Sequence, residues 1–512
     1  MSHVALSRTL VPTGVSASNR WRWSRLRAEL DSPWIAAGAL LWTASIAYLV
    51  ARSESVHLVL ALAVVPLAFA VVAQSPRATV VGLVFWLVAL GLVRRFVGGN
   101  SRVGGLGDPL LLVGPAILVL LVLIAGRRSG FRRRRTLANA VGLLSLLTLV
   151  EAVNPLQGSP LVGLAGLLFV LVPMLAFWVG RALVDDMLLD RIFKLIGILA
   201  VLSALYGLVQ QFAGFPSWDR RWINTGGYIA LNVGTAIRAF ASFSSAQEYG
   251  IFLSIGAVVL IARLRSARPL RLVARLIPIA LVLTALVLES SRSALVLTLA
   301  ALGFLAAARA GMRFASAVAA AVFALAVMIL ALGQLGGSAN PQNGTGATSA
   351  LLQHDFAGLA HPTGKGSSLS VHVKELVTGI EAAFTEPAGH GTGSVTLATR
   401  LGNVQNSGTE GDIGNVGVAL GSAGLVLYVV VVLWGVLSGY NTARLRRDHL
   451  SLAALALLVV VADQWLNGDL YSVAWLVWLV LGWFDAARDQ VQPLIGVKGP
   501  VPPAAVRRIT DA

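Results

Sequence analysis

The sequence predicts an all-α, polytopic integral membrane protein of about fourteen transmembrane helices. Two observations carry this prediction. Of the 512 residues, 56% are hydrophobic and only 12% are charged, which is far from the balance of a soluble domain. Apolar runs of about 17 to 22 residues recur along the chain, and each is long enough to cross a roughly 30 Å hydrocarbon core as a helix. The strands of a membrane barrel would instead alternate apolar and polar residues.

The apolar runs define the predicted spans. They lie near residues 33–50, 57–73, 78–96, 109–125, 136–152, 160–180, 191–212, 246–263, 272–288, 292–309, 314–333, 413–437, 451–467 and 469–485. The first run begins only after the basic segment "RWRWSRLR", so we expect no cleavable signal peptide and a first span that is retained. The chain has no cysteine, which excludes disulfides and thiol chemistry.

The basic residues predict the orientation of the chain. The net charge of +17 would be compatible with nucleic-acid binding. The basic residues lie between apolar spans, however, which indicates membrane insertion and no nucleic-acid partner. With a cytoplasmic N-terminus, about 29 of the 40 Lys and Arg fall on inner segments, as the positive-inside rule requires. Residues 1–32 and 486–512 then form cytoplasmic tails around helices 1–11 (33–333) and 12–14 (413–485). Segment 213–244 and the large loop 334–412 are extracytoplasmic.

The stretch "ESSRS", from Glu289 to Ser293, interrupts an apolar segment that is too long for one crossing. It therefore predicts a tight turn between two antiparallel spans at the outer surface. Glu289 and Arg292 could pair with each other and reach the headgroups. An outward arginine opposes the charge bias, which leaves room for a functional role.

The large loop contains the other candidates. Apolar residues at helical spacing predict an amphipathic helix over "VHVKELVTGIEAAF", ending before Pro387, with His372 and Glu375 on its polar face as a solvated pair or as functional groups. "GHGTGS" follows, and its glycines permit tight turns or close approach to a ligand. "TEGDIGN" places Glu410, Asp412 and Asn415 at the start of a span, where polar residues also serve as helix caps.

A second outer segment, "AIRAFASFSSAQEYGIFL", places Arg238 close to the membrane surface, as an interfacial anchor or a functional cation. Glu248 just inside is expected to be a buried carboxylate paired within the bundle. Arg220 and Arg221, among tryptophans, are expected to be interfacial. No spacing of histidines or carboxylates supports a metal site.

These segments together resemble the O-antigen ligase and O-antigen polymerase superfamily of bacterial membrane glycosyltransferases. "SRSALVLTLAAL" resembles the family's Ser-Arg start of a span. "RAFASFSSAQEYGIF" resembles an earlier Arg-containing span entry, and "GHGTGS…TEGDIGNVGVALGSAGLVLY" resembles the end of the large periplasmic loop. The resemblance covers roughly residues 190–440. It implies a GT-C-like fold, a lipid-linked donor and catalysis at the extracytoplasmic face of the inner membrane.

One departure from the family pattern directs the functional expectation. Ligases end this loop with a histidine, then Asn, Ser or Gln, then nine residues and Gly-x-x-Gly. Here Gly421 and Gly424 supply the last part, but Glu410 and Gly411 occupy the first two positions of the pattern. This favours a polymerase of exopolysaccharide-type or capsule-type repeat units over a lipid A-core ligase. A flippase for the same lipid-linked glycan is the rival from another class, and a scaffold protein is a third alternative.

The resemblance also assigns roles to residues. Arg238 and Arg292 would stabilise the diphosphate leaving group, because guanidinium groups bridge phosphate oxygens. Glu410 is the first choice of general base and His372 the second. His390, Gly391, Gly393, Asp412 and Asn415 are expected to bind substrate. No cofactor or metal is expected, and the partners are a polyprenyl-diphosphate-linked glycan, the lipid bilayer, and a flippase with chain-length or export components.

Overall fold

A computed structural model of the protein describes most of the chain after the second predicted span. The described residues are 64, 74–97, 108–127, 135–226, 232–233, 236–264, 269–323, 351, 369–402, 404–409, 411–466 and 472–495. Outside them lie the predicted span 33–50, the predicted span 57–73 apart from residue 64, both predicted tails apart from residues 486–495, most of 334–368, and Glu410. The statements below concern the described part.

The described elements confirm an all-α fold. The first half contains α1 (Pro76–Val97), the 3-10 helix η1 (Pro109–Leu112), α2 (Val113–Ala125), α3 (Thr136–Glu151), η2 (Pro155–Gln157), α4 (Pro160–Phe169), α5 (Leu171–Leu183), α6 (Asp186–Phe212) and α7 (Ser217–Gly226). A short antiparallel ladder, β1 (Asn232–Val233) and β2 (Ala236–Ile237), follows. The second half contains α8 (Ala246–Ala262), α9 (Pro269–Glu289), α10 (Arg292–Ala310), α11 (Phe314–Phe323), α12 (Leu369–Thr385), α13 (Thr399–Gly402), α14 (Gly411–Arg446), α15 (His449–Val460) and α16 (Ala474–Ile495).

Six helical segments are long and apolar enough to cross a membrane. They are Pro76–Phe96, Pro160–Leu183, Asp186–Phe212, Leu272–Glu289, Arg292–Ala310 and Gly411–Arg446, and each overlaps a predicted span. The predicted spans near 109–125, 136–152, 246–263, 314–333, 451–467 and 469–485 correspond to shorter apolar helices.

Several helices begin at the polar caps that their sequence provides. The Ser159 side chain accepts a hydrogen bond from the Val162 amide (3.3 Å) ahead of α4, which has Pro160 at its first position. Asp185 caps α6 in the same way, through the Leu188 amide at 2.9 Å. Ser245 caps α8. Such caps satisfy amides that have no partner within the helix, so they fix where each helix starts.

The core of the described part lies around α8, α15 and the first part of α16. α8, α15 and the part of α16 up to Ala487 are buried on nearly every side. α8 packs against α6, α9, α10 and α15, and α16 packs against α5 and α14. Apolar residues surround all three helices, which is typical of a helix in a protein core or in a membrane. Only the contacts with neighbouring helices show that these three are central.

Contacts between helix termini sort the ends of the bundle into two groups. We call one of them the Glu289 end. There, Arg94 at the C-terminus of α1 pairs with Asp108 (2.6 Å). At the same end, the amide of Ser472, ahead of α16, donates to Glu248 in the first turn of α8 (2.8 Å). We call the other the Arg446 end. There, a salt bridge between Arg77 and Asp185 (2.8 Å) joins the starts of α1 and α6. α1 and α6 therefore start at the same end of the bundle and run in the same direction.

The Arg446 end is held by ion pairs of largely buried groups. Arg446 bonds Asp186 (2.5 Å) and Asp448 (2.7 Å), while Arg181 pairs with Asp485 (2.8 Å). Burial pushes the pKa of Asp448 upward, but the charge of Arg446 and the amides of the next helix outweigh it and hold the pKa below its usual value. These pairs join α5, α6, α14 and α16 at one level.

Candidate active site

The turn between α9 and α10 was predicted from "ESSRS", and the structure confirms it. α9 ends at Glu289 and α10 begins at Arg292, and Ser290 between them has a left-handed φ of 65°. The Glu289 side chain is completely buried, so the expectation that it reaches the headgroups is wrong. A buried carboxylate needs a cation or hydrogen bonds, and this one obtains them from another loop.

Arg238 supplies that partner. Its Nε donates to the Glu289 carbonyl oxygen at 2.9 Å, and its Nη2 forms an ion pair with Glu289 Oε1. The Arg238 side chain remains 13% exposed. The structure thus joins the two loops that the sequence had singled out separately, because Arg238 bonds the residue three positions before Arg292.

Arg292 occupies the first position of α10 and is partly buried. A cation at a helix N-terminus lies at the unfavourable end of the helix dipole. Helix stability therefore does not explain an arginine here.

Two buried arginines near this site were missed by the sequence reasoning. Arg94 pairs with Asp108 and lies over the Trp222 ring, with its guanidinium carbon 5.2 Å from the ring centroid. Arg95 pairs with Asp219 (3.3 Å) and lies over Phe240 at 4.6 Å. The same signal that singled out Arg292, an arginine at the outer end of a span against the charge bias, also applies to both.

Asp219 connects Arg95 to the loop that follows Arg238. It accepts hydrogen bonds from Tyr206 (2.6 Å) and Gln210 (2.7 Å), and Gln210 in turn accepts from the amides of Phe240 (3.1 Å) and Ala241 (2.8 Å). Ala241 has φ 43°, a strained value for a residue with a side chain. This network fixes the backbone just after Arg238. Within "WDRRW", Asp219 is therefore the residue that binds this network together.

Glu248 has the buried location that was expected for it. Its two oxygens accept from the amides of Ser244 (3.2 Å) and Ser472 (2.8 Å). It therefore ties the start of α8 to the segment that precedes α16. The partners are backbone amides of loops, which a sequence pattern does not reveal.

The glycine-rich turn 389–394 packs between a break in α14 and the junction of α3 and α4. The amides of His390 and Gly391 donate to the carbonyls of Val418 (2.8 Å) and Ala419 (3.0 Å). Those carbonyls lie beside Gly421, where non-helical dihedral angles break α14. A broken helix leaves carbonyls without their usual partners, and the turn satisfies them.

The other side of this turn contacts the junction of α3 and α4. The Thr392 amide donates to the Glu151 carbonyl (3.3 Å), and the Gly393 amide donates to Gln157 Oε1 (3.1 Å). The close approach that the glycines permit is thus to other parts of the protein. Gly391 and Gly393, predicted to bind substrate, have amides already bonded within the fold.

Gly391→Ala is expected to lower the thermal stability of the protein. Gly391 has φ 95°, and a Cβ there would lie 2.8 Å from Gln157 Oε1. Gly214 provides the matched control, because it has φ 88° with nothing within 4 Å of the added carbon. Both variants incur a backbone cost of about 1 kcal/mol, and Gly391→Ala adds the clash. Equal melting temperatures for the two variants in detergent would contradict this packing account.

The two candidate histidines lie in different surroundings. His390 Nε2 forms a contact of 2.6 Å with Glu386 Oε2 just after the end of α12, and its Nδ1 is buried without a hydrogen-bond partner among the described residues. His372 is exposed on α12, as is Glu375. The helix itself was predicted correctly. It packs against α14 through Gly379, whose added Cβ would lie 2.5 Å from the Gly414 Cα atom.

The start of α14 is anchored by residues that were predicted to bind substrate. Asp412 is buried and accepts from the Tyr428 hydroxyl (2.5 Å) and the Leu466 amide (2.7 Å). The Asn415 side chain accepts from the Thr409 amide (2.8 Å). Both side chains therefore hold the backbone on either side of Glu410, which itself lies outside the described residues.

The segment that follows α15 completes this anchor. α15 ends at Val460, earlier than the predicted span 451–467, and Asp463 has a left-handed φ of 63°. The Asp463 carbonyl accepts from the Asp412 amide (3.0 Å), and its carboxylate accepts from the Ile413 amide (3.2 Å). The span is shorter than predicted because its last apolar residues form this turn.

The structure thus places Arg238, Glu289, Arg292, Asp412 and the glycine-rich turn at one end of the bundle. Comparison with known sequences adds no assignment: no protein-family model matches the chain, and no curated protein matches it.

Proposed function

We propose that the protein is an extracytoplasmic glycosyltransferase that polymerises polyprenyl-diphosphate-linked oligosaccharide repeat units into a cell-surface polysaccharide. The observation that carries the proposal is the meeting of Arg238 with the Glu289 turn that also carries Arg292. Two arginines from separate loops at one end of an apolar bundle form a site for a diphosphate at a membrane surface.

The chain is proposed to contain about fourteen spans in a GT-C-like arrangement. The Glu289 end is assigned to the extracytoplasmic face and the Arg446 end to the cytoplasm. The charge distribution supports this orientation, because basic residues lie in or next to the described connections at the Arg446 end, among them Arg77, Arg127, Arg181, Arg263, Arg313 and Arg447. An excess of Lys and Arg marks cytoplasmic connections.

Arg238 would act by exchanging partners. In the structure its guanidinium bonds Glu289 and is still accessible. A diphosphate bound beside the turn would contact both Arg238 and Arg292, and their positive charge would stabilise the negative charge that develops on the leaving group. Glu289 keeps the guanidinium oriented before the substrate arrives.

The proposed reaction is a single displacement. The acceptor hydroxyl oxygen attacks the anomeric carbon of the donor, the bond from that carbon to the diphosphate oxygen breaks, and the hydroxyl proton passes to Glu410. The products are the extended glycan and polyprenyl diphosphate, with inversion at the anomeric carbon. His372 is the alternative base, and His390 is assigned to orient the sugar or the diphosphate.

The lipid-linked glycans of a strain that lacks this protein test the proposed function. We expect single repeat units to accumulate on the outer leaflet, because donors arrive but are not joined. Full-length polymer that stays on the lipid carrier would instead identify a ligase. Repeat units confined to the inner leaflet would identify a flippase, and either result would overturn the proposal.

A further inference from the structure

The helix α12 packs against the protein through small residues on one of its sides. A Cβ atom on Gly379 would lie 2.5 Å from the Gly414 Cα atom, and one on Gly417 would lie 3.3 Å from the Ala383 Cβ atom. Gly379 and Ala383 are both buried. Small residues allow two helices to approach this closely, so α14 covers this side of α12.

A second side of α12 is apolar and exposed. Val373, Val377 and Phe384 are 49%, 45% and 68% exposed, and the partly buried Ile380 lies between them. Successive members of this set are four, three and four residues apart, which places them in one row along a helix. We call this row the α12 stripe. The sequence predicts an amphipathic helix here, but the structure shows that its apolar residues do not all face the protein.

The side of α12 away from both of these surfaces is polar. Lys374, Thr378 and Glu381 are exposed on it. Helices that separate an apolar side from a charged side in this way lie in the plane of a membrane interface. The same pattern also occurs where an apolar side is covered by another protein segment, so the level of α12 along the bundle is decisive.

The path of α14 gives that level. The Tyr428 hydroxyl donates to Asp412 at 2.5 Å, although the two residues are 16 positions apart. A straight helix would separate their Cα atoms by about 24 Å, so α14 folds back on itself at the non-helical Gly421. From Tyr428 to Arg446 the helix rises by about 27 Å, close to the thickness of a hydrocarbon core. The segment that packs against α12 therefore lies near the Glu289 end of this span.

The C-terminal end of α12 lies at a similar level. The Gly389 carbonyl, shortly after the end of α12 at Thr385, accepts a hydrogen bond from the Asn154 side chain at 3.0 Å. Asn154 follows directly after α3, which ends at Glu151 and matches the predicted span 136–152. Its neighbour Val153 is 77% exposed. α12 thus follows the Glu289 ends of two predicted spans, where a bilayer surface is expected.

We propose that the α12 stripe inserts into the outer interface of the bilayer, among the lipid headgroups and the first carbons of the acyl chains. Insertion removes the exposed valines and phenylalanine from water, while the polar side of the helix stays hydrated. The proposal rests on the membrane topology proposed above and not on the reaction. Its consequence is that the bilayer helps to hold α12, and with it the glycine-rich turn, at a fixed height.

Single cysteines can test this insertion, because the chain contains none of its own. Val377→Cys places an environment-sensitive dye on the α12 stripe of the full-length protein, which is reconstituted in vesicles of phosphatidylcholine and phosphatidylglycerol. The vesicles contain a lipid with a nitroxide quencher either high on its acyl chain or at the chain end. We expect strong quenching by the high nitroxide and weak quenching by the deep one, because an interfacial helix buries its apolar side by only about 5 to 10 Å.

Thr378→Cys is the matched control. Thr378 is the next residue along the helix and is also exposed, but it lies on the polar side. A dye there should remain in water and escape both quenchers. Leu433→Cys reports the topology itself, because Leu433 is 57% exposed within the α14 span and should be quenched by the deep nitroxide.

Three outcomes would overturn insertion of the α12 stripe. Equal quenching at positions 377 and 378 would show that the stripe has no preference for lipid. A dye at position 377 that is shielded from water but not quenched would show that another segment of this chain or a second copy covers the stripe. Failure to quench the dye at position 433 as well would overturn the membrane topology, and with it this proposal, whereas quenching at 433 alone would overturn only the insertion of α12.

Discussion

Glu410→Gln is expected to abolish polymer formation while lipid-linked repeat units accumulate. Glutamine keeps the size and hydrogen bonding of the side chain but cannot accept the hydroxyl proton. General-base catalysis contributes a rate factor on the order of 10² to 10⁴, so the loss should be complete on a glycan gel. Glu410→His should retain partial activity, because imidazole can also act as a base.

A capping role for Glu410 predicts a different result. Glu410 directly precedes α14, so it could stabilise the helix start, and its loss would then cost about 0.5 to 2 kcal/mol of stability. Polymer length would hardly change. The matched control is Glu381→Gln, the same substitution at an exposed position of α12. Near-normal polymer from a well-expressed Glu410→Gln variant would remove Glu410 from the mechanism and transfer the base to His372.

Arg238→Lys is expected to reduce polymerisation on the order of 10- to 100-fold, since a hydrogen bond to a charged group contributes about 1.5 to 3 kcal/mol. Lysine keeps the positive charge beside the buried Glu289 but loses the fork that binds phosphate oxygens. Arg292→Lys should have a similar effect. Arg220→Lys is the control, because Arg220 is exposed and donates to a nearby carbonyl, that of Phe215, at 2.6 Å.

Glu289→Gln separates diphosphate binding from anchoring of the loop. If Arg238 binds the donor, Glu289→Gln should retain activity within a few-fold, because glutamine can still accept a hydrogen bond from Arg238. If Arg238 serves only to hold the α9–α10 turn, Arg238→Lys and Glu289→Gln should impair activity equally. Both should also lower the melting temperature. Steady-state assays with purified lipid-linked repeat units provide the readout, and equal losses would contradict the diphosphate role.

The predicted helices and the described structure agree where apolar runs are long. The segments Pro160–Leu183, Asp186–Phe212 and Arg292–Ala310 match predicted spans closely, because a continuous apolar run of this length has few alternatives to a helix. The agreement is poorer at Asp463. There the apolar pattern continues, but the chain turns to bond the start of α14. Local hydropathy carries no information about that distant partner.

The residues of the candidate site could be predicted from the sequence, but the contacts between them could not. Arg238, Glu289 and Arg292 could be selected from the sequence, because each places a charge next to apolar residues. Their connection could not, since Arg238 and Glu289 are separated by 51 positions and the loop around Arg238 carries no pairing signal. The pairing of Arg94 with Asp108 and of Arg95 with Asp219 likewise joins different elements, and no sequence pattern reveals it.

The sequence by itself determined the all-α class, the position of most helices and the turn at Glu289, because these depend on the length and spacing of apolar runs. Only the tertiary structure decided that the glycine-rich turn fills the break at Gly421 and that Asp412 and Asn415 hold the backbone around Glu410. The physical reason is that buried amides and carbonyls must find partners, and many acceptable partners exist along the chain. Which of them meet depends on how the helices pack, and this is settled only when the whole bundle forms.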